Sequence, residues 1–334
     1  MKKSILLLGM AIMGITSCTN DEVLEVKNNE KAIGFQSFVN KGTRADVKTG
    51  ELKNFWVQAQ YGDEYKSLFT SAENVYLDGT EWKYTNTKYW TANTYYFVAY
   101  ADDNTSITAP GYVTINNGSL SISNFSPTYT AGSETTAATS STKDIVADVV
   151  ETTGGVTRTD AVDFTFNHLL SKVTFTVVNT GEFPMEITAL KITGLKQTGS
   201  ITMAHNTDLT SDPIWRVSGE DVTIYPIAQS SSNIAKNGRV ASAEFLLIPQ
   251  ALDNVKFEIM ATFYSSEGPV SYKDFTGTNA GFIKTASYDS WLAGNVYNYT
   301  ISLPSAAQPI EFNVSSTGVT PWNAVSATGI ELNP

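Results

Sequence analysis

Of the 334 residues only one is cysteine, two are histidine and four are arginine. A single cysteine excludes an internal disulfide, so burial alone must stabilise the fold. His168 and His205 have no second histidine or cysteine nearby, and no zinc site or nucleophilic triad is readable around them. No Gly-rich phosphate loop leads from a strand into a helix. No stretch keeps a 3.6-residue apolar period between helix caps. Bases are also scarce, 22 against 33 acids, for a formal net charge of −11, and nucleic acid, which demands basic patches, is excluded as a partner. Carboxylates such as Asp160, Asp163 and Asp212 are scattered as in any acidic protein, and no catalytic pair stands out among them. The chain reads as a non-enzyme, with no cofactor and no metal.

What is present is apolar: 42% of the residues are hydrophobic and 11% aromatic, enough for one large or two ordinary cores. Residues 1–17 have the form of a secretory signal, with Lys2 and Lys3 ahead of an apolar stretch, Ile5 to Met13, too short to span a bilayer. The lone cysteine follows at once: Ile15-Thr16-Ser17-Cys18 resembles the bacterial lipobox. Cleavage before Cys18 would leave a thiol and an amine to carry acyl chains, each buried methylene contributing about 0.8 kcal/mol of anchoring. Cys18 is thus the expected lipid attachment point, and Asp21 and Glu22 behind it are similar to the acidic tag that sends some lipoproteins to the outer face of the outer membrane. The polar segment 19–31 reads as a tether.

Beyond residue 30 the dominant signal is alternation with period two, the mark of strands with one buried face. Phe55, Val57, Ala59 and Tyr61 form one such face; Val173, Phe175 and Val177 a second; Val255, Phe257, Ile259, Ala261 and Phe263 a third; Tyr297, Tyr299, Ile301 and Leu303 a fourth. Turn pairs such as Asp78-Gly79, Asn117-Gly118 and Asn237-Gly238 separate short strands, and the absence of a fixed repeat points to sandwiches rather than a solenoid. The fold expected is all-β. Residues 126–142, small and polar, predict a mobile surface loop. The Gly/Thr-rich stretch 151–159 predicts a boundary between an N-terminal sandwich at 45–155 and a C-terminal one at 156–334. Ile33, Phe35 and Val39 share one face of an early strand, and a Gly-containing loop with Arg44 follows it. His168 reads as a structural histidine at a strand end. Trp56, Trp82, Tyr84, Tyr89 and Trp90 read as core or rim aromatics, with a sugar-stacking platform as the rival.

Several phrases together resemble the fimbrillin family, the lipoprotein pilins of type V pili: the Cys18 lipobox, the strand ahead of Thr43-Arg44-Ala45, "FNHLLSKVTFTV" at 166–177, "LLIPQ" at 246–250, "SWLAGNVYNYTISL" at 290–303 and "VTPW" at 319–322. The resemblance implies two tandem transthyretin-like β-sandwiches. It also implies a route: residues 18–44 form a lipidated propeptide, an arginine-specific protease cuts between Arg44 and Ala45, and the strand with Ile33, Phe35 and Val39 leaves. The vacated groove then takes a C-terminal strand of another subunit. Residues 309–334 hold the donor candidates: Ile310, Phe312 and Val314, or Ile330 and Leu332. Residues 1–44 carry six bases and four acids, so cutting leaves a net charge of −13. Arg158, in the Gly-rich stretch, is expected to be equally exposed and so a rival cutting site.

The partners implied are other pilin subunits, the outer membrane through the lipid at Cys18, an arginine-specific protease and a host or bacterial receptor. The location implied is the cell outer membrane, surface-exposed, and the fimbrium. The roles that stay open are stalk, anchor and tip adhesin, with a monomeric surface glycan-binding lipoprotein as the reading from another class.

Overall fold

The structure, a computed structural model, describes residues 31–39, 52–102, 109–209, 214–229, 233–285, 288–305, 310–315, 323–324 and 327–332. Cys18, Arg44 and Ala45 lie outside the described residues. The alternating faces become strands throughout. The described residues begin with β1 (Phe35–Val39), β2 (Asn54–Tyr61), β3 (Lys66–Ser67), β4 (Glu73–Asp78), β5 (Glu81–Lys83) and β6 (Thr94–Ala101). It continues through β7 (Val113–Asn116), β8 (Ser119–Phe125), β9 (Tyr129–Thr130), β10 (Thr139–Ser140), β11 (Val146–Thr153) and β12 (Val162–His168). Next come β13 (Ser171–Asn179), β14 (Met185–Ile187), β15 (Leu190–Met203), β16 (Arg216–Ile227), β17 (Arg239–Ala241), β18 (Phe245–Leu247) and β19 (Lys256–Ser265). Last are β20 (Gly268–Phe275), β21 (Gly281–Phe282), β22 (Asn295–Leu303), β23 (Ile310–Ser315), β24 (Asn323–Ala324) and β25 (Ala327–Leu332). Among the described residues the one helical piece is a 3-10 turn at Gly277–Asn279.

Three large sheets follow. The first runs in the order β1-β12-β11-β6-β2-β4-β5, the second β17-β13-β22-β23-β25, and the third β14-β19-β15-β8-β7. The second and third pack face to face: Val173, Phe175, Tyr299 and Ile301 meet Ile192, Phe257, Ile259 and Phe263 in one core. The first sheet is buried on both faces along β6 and the start of β11, and on one face at β12. Phe55, Val57, Phe97, Phe164 and Phe166 line one core. On the other side Val98, Tyr100, Ala147 and Val149 pack on Leu120, Ile122, Ile201 and Trp215. This is an all-β, sandwich-type architecture.

Sheet membership crosses the line expected at residue 155. β12 joins the N-terminal sheet beside β11 and β1, while the β7–β8 hairpin, closed by Asn117 and Gly118 at φ of 47° and 74°, extends the third sheet by pairing β8 with β15. Two successive residues with positive φ make the tight hairpin turn that an Asn-Gly pair supplies. Turn chemistry located the hairpin, but which sheet it joins depends on contacts far away in the chain.

The segment 126–142, expected to be a mobile surface loop, lies largely at the surface but is tied down by its backbone. β9 and β10 pair with each other, Ala138 is buried in the C-terminal core, and its N–H donates to the Tyr225 carbonyl at 2.7 Å while the Tyr225 N–H donates to Ala131 at 2.8 Å. Small, polar side chains bury little area, yet their backbone groups are as strong as any others and find partners on β16.

Candidate functional site: the first strand and its bed

The segment Ala32–Val39 is held by its backbone and sealed beneath by the Ile33 and Phe35 side chains. β1 runs parallel to β12, Phe35 opposite Val162 and Val39 opposite Phe166, after the Val162 N–H donates to the Gly34 carbonyl at 2.8 Å. Just upstream the same segment is bonded on its other edge too: the Ile33 N–H donates to the Lys88 carbonyl at 2.8 Å, and the Trp90 N–H to the Lys31 carbonyl at 3.0 Å. The Tyr84 hydroxyl adds a bond to the Ile33 carbonyl at 2.8 Å and accepts from the Lys88 N–H at 3.1 Å. Burial pushes the Tyr84 hydroxyl up from its ordinary pKa.

Ile33 and Phe35 are buried to 1% and 4% exposure. The Phe35 ring lies 5.0 Å from Tyr84, 5.8 Å from Phe97 and 5.9 Å from Phe164, within the range of favourable ring pairs. Each of the two side chains contributes about 2 kcal/mol by leaving water. The strand containing Ile33, Phe35 and Val39 is therefore an integral part of the first core up to Phe35, and Val39 belongs to the β12 ladder.

β1 is also the terminal strand of its sheet. Its far edge faces β5, the other terminal strand, across a cleft of about 500 Å³ lined by Phe35, Gln36, Ser37, Thr80, Glu81 and Trp82. Removing β1 would uncover the β12 edge and the rings under Phe35 together, leaving both unpaired backbone groups and an apolar trough.

The aromatic cluster between Trp82 and Trp90 serves this core. Trp90 is fully buried, 5.0 Å from Tyr95; Trp82 packs on Phe55 at 4.9 Å; Tyr84 packs on Phe35; Tyr89 alone of the cluster is exposed. Trp56 packs half-buried against the second face of the sheet. These rings form no continuous exposed platform.

Arg158 is half-buried and held, contrary to the expectation that it is exposed. Its guanidinium sits 4.3 Å above the Trp90 ring and donates to the Thr152 hydroxyl at 2.5 Å and the Thr153 carbonyl at 2.7 Å. His168 closes β12 as a structural residue, its Nδ1 2.7 Å from the Asp144 carboxylate in a buried pair, and His205 lies 3.0 Å from Glu151. Among the described residues no group of three or more His, Cys, Asp or Glu gathers in a metal-binding arrangement.

At the other end of the chain, β23 pairs antiparallel with β22, Ile301 opposite Phe312, and β25 pairs with β23, Phe312 opposite Ile330 and Ile310 opposite Leu332. The donor candidates Ile310, Phe312, Val314, Ile330 and Leu332 thus lie on the last two strands at one edge of the chain's own C-terminal sheet, β25 outermost and β23 next to it. Sequence reasoning missed Tyr84, Lys88 and Phe164 as the bed of β1. A parallel ladder between segments more than a hundred residues apart leaves no local signature; the alternation of Val162, Phe164 and Phe166 was the one available hint.

A family model described as fimbrillin-like matches residues 29–322. Among solved structures, a fimbrial protein from Bacteroides vulgatus is similar with a TM-score of 0.56 at 16% identity, over 87% of this chain and 100% of that one. A protein from Bacteroides uniformis described as a candidate cell adhesion protein gives 0.47 at 17%, over 89% and 100%. A fimbrial assembly protein from Parabacteroides distasonis gives 0.37 at 13%, over 86% and 96%. At these identities the first likeness speaks for the fold, and the other two carry no argument. No curated protein matches the chain.

Proposed function

Since this chain belongs to the fimbrillin-like family, we propose that it is a surface fimbrial subunit that assembles by exchanging a strand and takes part in adhesion. In this reading residues 1–17 direct export, Cys18 is lipidated, and the precursor reaches the outer face of the outer membrane. An arginine-specific protease cuts between Arg44 and Ala45, β1 departs, and a C-terminal strand of another subunit fills the place. The protein has no catalytic role; its chemistry is backbone pairing and burial.

The observation that carries this reading is the position of β1. With Ile33 just ahead of it, it supplies Phe35 to the first core, yet it ends its sheet and is attached along Phe35–Val39 by one ladder. A vacated strand site is satisfied only by another strand, which offers main-chain groups and alternate side chains together.

The test is treatment of the surface-displayed chain with an arginine-specific protease, followed by size-exclusion chromatography and N-terminal sequencing. A start at Ala45 with a ladder of polymers is expected. A start at Cys18 alone, with an unchanged monomer, would refute the scheme.

A second reading has one observation in its favour: β23 and β25 pair within their own sheet. A subunit that keeps these strands would cap the fibre as a tip adhesin; one that stays uncut at Arg44 would be the anchor. Deleting residues 326–334 separates a stalk subunit from a tip subunit. A stalk subunit so shortened folds as a monomer and fails to polymerise, whereas a tip subunit still joins the fibre through its N-terminal groove.

A further inference from the structure

The cleft between β1 and β5 lies where the two terminal strands of one sheet face each other, and its banks have defined hydrogen-bonding directions. In a parallel ladder both backbone groups of one residue turn to the same neighbour and those of the next turn away. The Gly34 carbonyl accepts from Val162 on β12, so Gln36 and Phe38 address β12 as well. Ile33, Phe35 and Ser37 address the opposite side. Ile33 confirms this direction, because its N–H reaches Lys88 and its carbonyl receives the Tyr84 hydroxyl. Two and four residues further on, the backbone groups of Phe35 and Ser37 open into the cleft.

The facing bank has the same property. β4 and β5 form a hairpin with Leu77 opposite Trp82, and the Leu77 N–H turns outward to the Lys53 carbonyl at 2.8 Å. Antiparallel partners alternate between bonded and non-bonded pairs, so Trp82, like Leu77, directs its N–H and carbonyl away from the hairpin. They point into the cleft.

The two strands approach within 8 Å between Cα atoms at their nearest, and no described ladder joins them. A strand seated between them with full pairing on both banks needs about 9.4 to 9.8 Å, twice the ordinary strand spacing. An incoming strand therefore starts by pairing with one bank and gains the second only as the other moves. Each bank is held by one ladder, β5 to β4 over three residue pairs and β1 to β12 over five. In the strand-exchange reading β1 is the strand that departs, so the bank that moves is β1.

We propose that this cleft is the landing site at which the C-terminal tail of a second copy, residues 309–334, engages the N-terminal sheet on the Trp82 edge before β1 leaves. The proposal rests on the strand-exchange reading and adds where and when the incoming strand first binds. The occupant is a strand because what the cleft offers is main-chain donors and acceptors. It is the tail of a second copy because β25 is the outermost described strand of its own sheet, held by one ladder to β23. β25 detaches without opening the sheet interior, and β23 follows only by giving up its ladder to β22.

A synthetic peptide of residues 309–334 is titrated onto the uncut chain and onto the arginine-protease-cut chain, with amide hydrogen exchange read residue by residue. The expected result is binding to the uncut chain that slows exchange at Trp82, with the β12-facing amides of Gln36 and Phe38 unchanged at low occupancy. Trp82 supplies one backbone donor to this edge. Trp82→Pro, which removes it, binds about threefold to tenfold more weakly, the equivalent of one ladder hydrogen bond. The wild-type exchange pattern decides the matter if Trp82→Pro fails to fold. Binding to the cut chain alone overturns the landing site and leaves strand exchange standing. Binding to neither form overturns both, and protection on another edge, such as β7 or β20, overturns the landing site.

Discussion

The Tyr84 hydroxyl donates to the Ile33 carbonyl at 2.8 Å, tying a side chain of the loop after β5 to the segment that leads into β1. It satisfies a main-chain acceptor that the β12 ladder does not reach. Tyr84→Phe is expected to lower the stability of the uncut chain by about 1 kcal/mol, the net worth of one such bond. The loss is read as a lower thermal midpoint with an unchanged fold by circular dichroism. After protease treatment the same variant should release the first segment faster than the wild type, and an equal release rate would show that Tyr84 does not hold it.

Phe35→Ala removes a ring that contacts Tyr84, Phe97 and Phe164. The uncut chain is expected to lose about 3 to 5 kcal/mol, measured by denaturant unfolding. In material that has already shed residues up to 44 the substitution is absent, and polymers formed from it should match wild-type polymers in stability.

Arg158 is protected by geometry rather than by sequence context. Its guanidinium is stacked on Trp90 and bonded to Thr152 and Thr153, and a protease must first pull it free. Limited digestion of the folded wild type with an arginine-specific protease should yield no early fragment starting at Thr159. Thr152→Val removes one acceptor and should speed that cut severalfold, as followed by mass spectrometry.

Stability should fall at alkaline pH in a defined direction. Burial raises the pKa of Tyr84, Tyr100, Tyr297 and Tyr299 above the ordinary value of 10.0. The folded state therefore binds these protons more tightly than the unfolded chain does. Their contribution is intact below about pH 10 and is lost as pH rises past it, once the unfolded chain ionises first. Denaturant midpoints should be insensitive to these groups near neutrality and drop steadily above pH 10. Tyr299→Phe, which loses the bond from the Trp291 indole at 2.8 Å, should blunt that drop.

The β9–β10 flap is expected to resist exchange, because the Ala138 and Tyr225 amides are bonded across to each other's segments. Ala138→Asp would place a carboxylate in the C-terminal core and should cost several kcal/mol, with loss of protection at both amides. Rapid exchange at these amides in the wild type would restore the picture of a loose loop.

Much of this was open to reading along the chain. Alternation at Phe55–Tyr61, Val173–Val177, Val255–Phe263 and Tyr297–Leu303 marks strands because a pleated strand turns every second side chain to the same face, a property carried by neighbours in sequence. The same holds for the Asn117-Gly118 hairpin, whose turn needs two residues tolerant of positive φ. The scarcity of cysteine and histidine likewise excludes cross-links and the readable metal sites without reference to any fold.

Tertiary structure decided what the strands do. Ile33 and Phe35 announce a strand, but only the parallel ladder to Val162–Phe166 puts that strand at the end of a sheet, over the Phe97 and Phe164 rings and across a cleft from Trp82. Ser126 to Thr142 has the composition of a loop, and the backbone partners on β16 make it a flap. Arg158 and Trp90 are 68 positions apart, and nothing local predicts that one shields the other. Periodicity is a short-range property of the chain; pairing partners, edges and exposure are set by contacts between distant segments, and they exist only once the sheets have closed.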